Sequence, residues 1–207
     1  MALRKSQRDS RPPTVEPSRT LPELLLPIDS PTPAERQAAI MALAGHPISA
    51  PVLCQRLEVE DDTASREGLA IALIRIGGPV VVSGLLPYLK SDAAVLRNIV
   101  IDILKELPAE VAPHMESLLD DPDSDVRIFV INVLEALRHP NVESWLIAVI
   151  RIDAHVNVVA TALDLLSEVG TEASLSALQS VRARFPDEPF IIFAATNALE
   201  RIQRSAT

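Results

Sequence analysis

The chain has 207 residues, 48% of them apolar but only 3% aromatic, with six glycines and a net charge of −9, enough for one modest domain whose composition argues against a β sandwich. The acidic balance argues against nucleic acid, whose phosphates are met by basic surfaces, and a single cysteine, Cys54, excludes an intrachain disulfide and suits a reducing, cytoplasmic setting. The longest apolar stretch, 68–89, is broken by Arg75, Gly77, Gly78 and Pro79, so no membrane span is expected.

Residues 1–29 are read first as a largely disordered N-terminal tail. Seven prolines fall within 1–33, and 1–20 carries Arg4, Lys5, Arg8, Arg11 and Arg19 against Asp9 and Glu16. The remainder then holds fourteen basic and twenty-six acidic residues, about −12. Leu21–Ile28 is too short and too broken by proline and charge for a signal peptide. Its Leu24, Leu25, Leu26 and Ile28 have two readings, a cap on the stack that follows or a docking peptide.

From residue 30 to 207 the chain repeats. Leu43, Leu73, Leu104, Leu134, Leu166 and Leu199 stand 30, 31, 30, 32 and 33 residues apart. Seven positions before them stand Arg36, Arg66, Arg97, Arg127, Val159 and Ile192, and apolar residues recur at −4, −3, 0 and +3. That spacing is one face of a helix, and strand alternation fails on the same stretches. Asp62, Asp92, Asp123 and Asp153 precede these helices as capping carboxylates, and Gly45, Gly77-Gly78, Pro108, Pro140 and Gly170 stop them. A shorter apolar run follows each stop. The units are therefore helix–turn–helix, over about 31–60, 61–91, 92–120, 121–152 and 153–185, closed by one helix near 189–204. A period near 31 with helical texture means an α-solenoid, because no unit can bury its apolar face alone.

The run Asp121-Pro-Asp-Ser-Asp-Val-Arg-Ile-Phe-Val-Ile-Asn-Val-Leu134 resembles the first helix of a short bacterial HEAT repeat, and Ile76-Gly77-Gly78-Pro79 resembles its turn. The resemblance covers about 31–204. It implies an all-α, right-handed superhelix of about five HEAT-like repeats plus a C-terminal capping helix. Such repeats serve scaffolds, adaptors, phycobilin lyases and some enzymes. Val159 and Ile192 depart from the family's arginine, so its Asp–Arg contacts between repeats are not implied there. The arginine ladder itself has two readings, an anion-binding stripe or, as the family pattern and the acidic loops favour, pairing with Asp or Glu of the preceding unit.

Chemistry-bearing patterns are few. The four histidines at 46, 114, 139 and 155 have no i, i+4 pairing, and none begins the His-Glu dipeptide of HEAT-like iron hydroxylases, so no metal is expected. No Gly-x-Ser-x-Gly elbow or phosphate loop occurs, and Cys54 sits between Leu53 and Leu57 as a structural thiol. Asp120, Asp121, Asp123 and Asp125 lack the glycine and terminal glutamate of a calcium loop. No cofactor is expected.

Binding residues are sought on the second helices, on the concave side of such stacks: Gln55, Arg56, Tyr88, Lys90, Glu116, Trp145, Arg151 and Arg182. Trp145 and Tyr88 are the sole tryptophan and tyrosine, and have two readings, interface anchors or packing residues. The functional expectation is a non-enzymatic, cytoplasmic protein–protein adaptor working through an acidic surface. The alternatives are a phycobilin-lyase-like enzyme or chaperone and, further off, a HEAT-like DNA glycosylase, which would need a basic concave surface carrying aromatics.

Overall fold

The computed structural model describes residues 20–137 and 139–205. The expectation of disorder over 1–20 therefore lies outside the described residues, Thr20 excepted. Among them every regular element is helical. A short α1 (Leu21–Leu25) leads into a 3₁₀ turn, Leu26–Asp29. First helices α2 (Pro33–Leu43), α4 (Thr63–Ile76), α6 (Ala94–Lys105), α9 (Ser124–Ala136), α11 (Val156–Val169) and α13 (Pro189–Ser205) follow at the repeat spacing. Between them lie the second helices α3 (Ala50–Val59), α5 (Gly78–Leu85), α7 (Pro108–Val111) with α8 (Met115–Leu119), α10 (Val142–Ile152) and α12 (Leu175–Arg184). First helix packs on first helix along the stack, and second on second. The chain is an all-α solenoid.

The ladder leucines form the spine of one continuous core. Leu43, Leu73, Leu104, Leu134 and Leu166 are fully buried, and Leu199 in the final helix is 8% exposed. Buried apolar residues four before each one share its face (Ala39, Leu69, Val100, Val130, Ala162 and Ala195), as a helix face turned to the core requires. The +3 position is less regular: Leu107, Leu137 and Ile202 are buried, but Val169 at the end of α11 is exposed.

Second helices are interrupted where the sequence places proline. Pro87 lies in a 3₁₀ segment, Leu86–Lys90, that continues α5, and Pro113 lies in another, Ala112–His114, between α7 and α8. A proline has no N–H for the helical ladder, so the helix tightens or breaks. Gly77 and Gly78 have φ of 59° and 80°, a conformation that lets α4 turn directly into α5. Gly84 serves close approach instead, because a Cβ there would stand 2.9 Å from the buried Cys54 Sγ.

Three expectations need correction. Asp62 and Asp123 do cap α4 and α9, accepting from Ser65 N–H and Asp125 N–H, but Asp92 and Asp153 are not caps. The residue before α6 is Ala93, whose N–H goes to the Ser91 hydroxyl, and Asp153 pairs with an arginine while accepting from His155 N–H. The segment after residue 20 packs on α2 through Leu24 and Ile28, while Leu26 is 80% exposed. Leu24 and Ile28 are four apart and share a face, and Leu26 between them points away.

The third correction concerns direction. Two of the four arginines pair with a carboxylate, and both find it forward in the chain rather than in the preceding unit. Arg36 makes a bidentate pair with Glu60 (Nε–Oε2 2.9 Å, Nη2–Oε1 2.6 Å), and Arg127 does the same with Asp153 at 2.7 and 3.0 Å. Each ladder arginine also donates to the carbonyl six residues before it: Arg36 to Ser30, Arg66 to Glu60, Arg97 to Ser91 and Arg127 to Asp121. Arg97 has no carboxylate. Its guanidinium lies over the Phe129 ring at 4.5 Å, and its Nε is buried without a partner.

Candidate functional site

The second helices bring the sequence-selected side chains to one side of the stack, but most of them are occupied. Arg56 on α3 is half-buried and donates to Glu60 at 3.0 and 3.1 Å, with Asp29 at 3.4 Å. The Tyr88 hydroxyl donates to Glu58 of the unit before, and burial together with that carboxylate pushes its pKa up. Lys90 pairs with Asp121 at 2.9 Å. Arg151 donates to the Ser176 hydroxyl at 3.3 Å, while Gln55 and Arg182 are exposed. Several of these residues thus link one second helix to the next.

Glu116 and Trp145 are the exception, because the structure brings them together around one cleft of about 650 Å³ between α8 and α10. Its floor is Leu119, Trp145, Ala148, Val149 and Ile152, and its rim carries Glu116, Asp120, Asp121 and Asp153. Trp145 is only 8% exposed, so it packs into the core and gives the cleft only a small part of its surface; it is not a projecting anchor. The ring is held by stacking on His139, 5.0 Å between centroids and 11° between planes. Ile152, by contrast, is 76% exposed at the end of α10.

The walls are fixed from within. Arg127 donates to the Asp121 and Pro122 carbonyls at 2.8 and 3.3 Å and clamps the Asp153 carboxylate across the cleft end. Burial alone would raise the Asp121 pKa, but the Asp123 N–H and Lys90 hold it below the ordinary value. Glu116 and Asp120 are exposed and in no ion pair among the described residues. A smaller and more polar depression of about 320 Å³ lies on the first-helix side, among Asn132, Glu135, Asp164 and Arg201.

Sequence reasoning missed Leu119, Asp120, Ala148 and Ile152. One signal was available for Ile152, which continues α10 beyond the core register of Leu146, Val149 and Ile150 into an acidic turn. Two further carboxylates were also missed, the buried Glu60 and the half-buried Glu143. Glu60 accepts from Arg36, Arg56 and the Asp61 and Asp62 N–H groups; burial would raise its pKa, yet those donors bring it down to about 2. Glu143 is likewise held low against burial, by the Ser174 hydroxyl at 2.6 Å and by Thr171. Both lock turns in place. Cys54 is an inert thiol, pushed up to about 11 by burial. Among the described residues no cluster of His, Cys, Asp and Glu is placed to hold a metal, and no helix is long and apolar enough to cross a membrane.

A family model described as HEAT repeats matches residues 21–105 and 112–203. No curated protein matches in sequence. Similar solved structures include an engineered protein (17% identity, 87% of this chain and 95% of that one, TM-score 0.42) and a designed armadillo repeat protein (15%, 88% and 100%, 0.38). The complex of CpcE and CpcF of phycocyanin lyase from Nostoc sp. PCC7120 also aligns (17%, 95% and 100%, 0.36).

Proposed function

Because this chain belongs to the HEAT-repeat family, we propose that it is a non-enzymatic scaffold that holds a protein partner along its second-helix side, in the cytoplasm. The observation that carries this reading is the cleft between α8 and α10. It is open and apolar-floored, with walls already set by Arg127, and is lined by groups that recognise surface rather than by a nucleophile beside a base. Along the same side Tyr88, Lys90 and Arg151 tie successive second helices together, which gives a rigid platform. A rigid platform loses little freedom on binding. The acidic rim is the wrong sign for a phosphate backbone.

Photo-crosslinking in the protein's own cell extract tests this. A photoreactive residue at Gln55, Arg151 or Arg182 on the second helices is expected to trap the same protein partner. The same residue at Asp164 on α11, on the first-helix side, is expected to trap it poorly. Trapping from Asp164 alone, or of no protein from any position, would overturn the scaffold.

A further inference from the structure

The charge and shape of the cleft between α8 and α10 say what kind of segment fits it. Its floor offers Leu119, Trp145, Ala148, Val149 and the exposed Ile152, a surface that a bulky apolar side chain can cover. Its rim is acidic. Of four rim carboxylates, Asp121 and Asp153 are occupied by Lys90 and Arg127, and Glu116 and Asp120 point outward without an ion pair among the described residues. Arg127 is the one basic residue in the lining, and both sides of its guanidinium are engaged.

The opening has a sequence cause. Pro113 ends the regular helix before α8 and leaves α8 only five residues long beside the eleven of α10. The Asp120–Pro122 turn then closes one end, pinned through its carbonyls by Arg127. His139 stacks on the Trp145 ring and holds its plane. Floor and walls therefore stand before any ligand arrives.

On the scaffold reading above, we infer that this cleft receives a basic amphipathic segment of a protein partner. One large aliphatic or aromatic side chain of that segment seats on Trp145, Val149 and Ile152. Lysine or arginine on either side of it faces Glu116 and Asp120. The occupant is assigned by charge complementarity: the two free carboxylates sit at the mouth of an apolar floor, in a chain of net charge −9. An acidic segment or a phosphate chain meets the same carboxylates as repulsion.

Trp145 is the only tryptophan, so its emission in the full chain reports the cleft directly. The probe is a short synthetic peptide with one central leucine flanked by lysines. Two control peptides replace the leucine by serine or the lysines by glutamate. Saturable change in Trp145 emission is expected with the parent peptide, and affinity about tenfold weaker or worse with either control. Ile152→Glu and the pair Glu116→Lys with Asp120→Lys are expected to weaken the parent peptide by a similar factor. These side chains are exposed, so helicity and denaturation midpoint should stay put; Asp164→Ala, on the first-helix side, serves as the unaffected control.

Equal binding of the controls, or unchanged binding by those variants, would overturn the assignment, as would tighter competition by single-stranded or duplex DNA. Binding that appears only after Arg4 and Lys5 are changed to glutamine would overturn it too, because the cleft's occupant would then be this chain's own N-terminal segment. A partner that crosslinks to the second helices but ignores Ile152→Glu and Glu116→Lys sinks the cleft and leaves the scaffold standing. No trapped protein at all sinks the scaffold itself.

Discussion

The first four units and the fifth hold the turn before their first helix in different ways. In units one to four an arginine seven residues before the ladder leucine donates to the carbonyl six residues earlier. In the fifth unit that position is Val159, fully buried, and the corresponding carbonyl is that of Asp153. It is not abandoned. Arg184, at the far end of α12, reaches back to the Asp153 carbonyl at 2.8 Å and to that of Ile150 at 2.5 Å. What the stack conserves is a guanidinium on that carbonyl, and the helix supplying it is interchangeable. Asp153 shows the change directly, its carboxylate held by Arg127 from the unit before and its carbonyl by Arg184 from its own.

The largest expected effect tests the arginine side of this comparison. Arg36 and Glu60 form the driest pair, 7% and 0% exposed at the side chains. Glu60→Ala leaves the Arg36 and Arg56 guanidinia without their carboxylate and should cost about 3–5 kcal/mol by urea denaturation. A loss below about 0.5 kcal/mol would show that the rung contributes nothing. The pair also sets a pH dependence. The folded pKa of Glu60 is brought from 4.5 to about 2, so its stabilisation is present above about pH 4.5 and is lost as pH falls toward 2. Glu60→Gln should flatten the stability curve in that window. An unaltered acid limb would assign it to Asp62, Asp121 or Glu143, which are also held low.

Next in size is the spine shared by both modes. Leu104, buried between neighbouring first helices, should cost about 2–5 kcal/mol on truncation to alanine, measured as a shift in denaturation midpoint. Leu199→Ala should cost less, because α13 has no following unit among the described residues and the side chain is already 8% exposed. Equal losses would mean that the outer side of α13 is covered in solution.

A smaller effect probes the exchange of arginines itself. Arg184→Ala removes two hydrogen bonds from a largely exposed side chain and should cost about 1 kcal/mol. Val159→Arg should destabilise by crowding a filled position. In the Arg184→Ala background the same substitution should cost less, since the new guanidinium finds the Asp153 carbonyl free. Strict additivity in that double-mutant cycle would refute the equivalence of the two arginines.

Much of this architecture could be read from spacing, and the reasons are local. The leucine ladder is legible because every copy does the same work, on a helix face turned to one shared core. The arginine at −7 was legible as a rung, but not its partner. Glu60 lies twenty-four residues beyond Arg36 and Asp153 twenty-six beyond Arg127, while at Arg97 the matching Asp121 is taken by Lys90. Such choices depend on how each turn is cut, which spacing does not record. The same limit applies to the cleft: its floor depends on a proline that shortens α8 and on a histidine stacked on Trp145. The apolar stretch after residue 20 was legible as packing material, but which leucine faced outward depended on the 3₁₀ turn at Leu26.

The smallest expected effect concerns the two ends. Ile28, 4% exposed, seals the first helix pair together with Leu24, whereas α13 presents Phe190 and Phe193 at 62% and 67% exposure. A terminal unit in a solenoid ordinarily turns a polar face outward, and α13 does so only in its later turns, through Glu200, Arg201 and Arg204. If these phenylalanines meet only water, Phe193→Ser should leave the denaturation midpoint within about 0.5 kcal/mol of the parent, because an exposed ring has little burial to lose. Ile28→Ser, at the sealed end, should lower it by about 2 kcal/mol or more, since it removes a buried methyl cluster and adds a hydroxyl. The contrast is the measurement. Matching losses would mean that both ends are covered in solution and that the asymmetry between them disappears once the chain is among its neighbours.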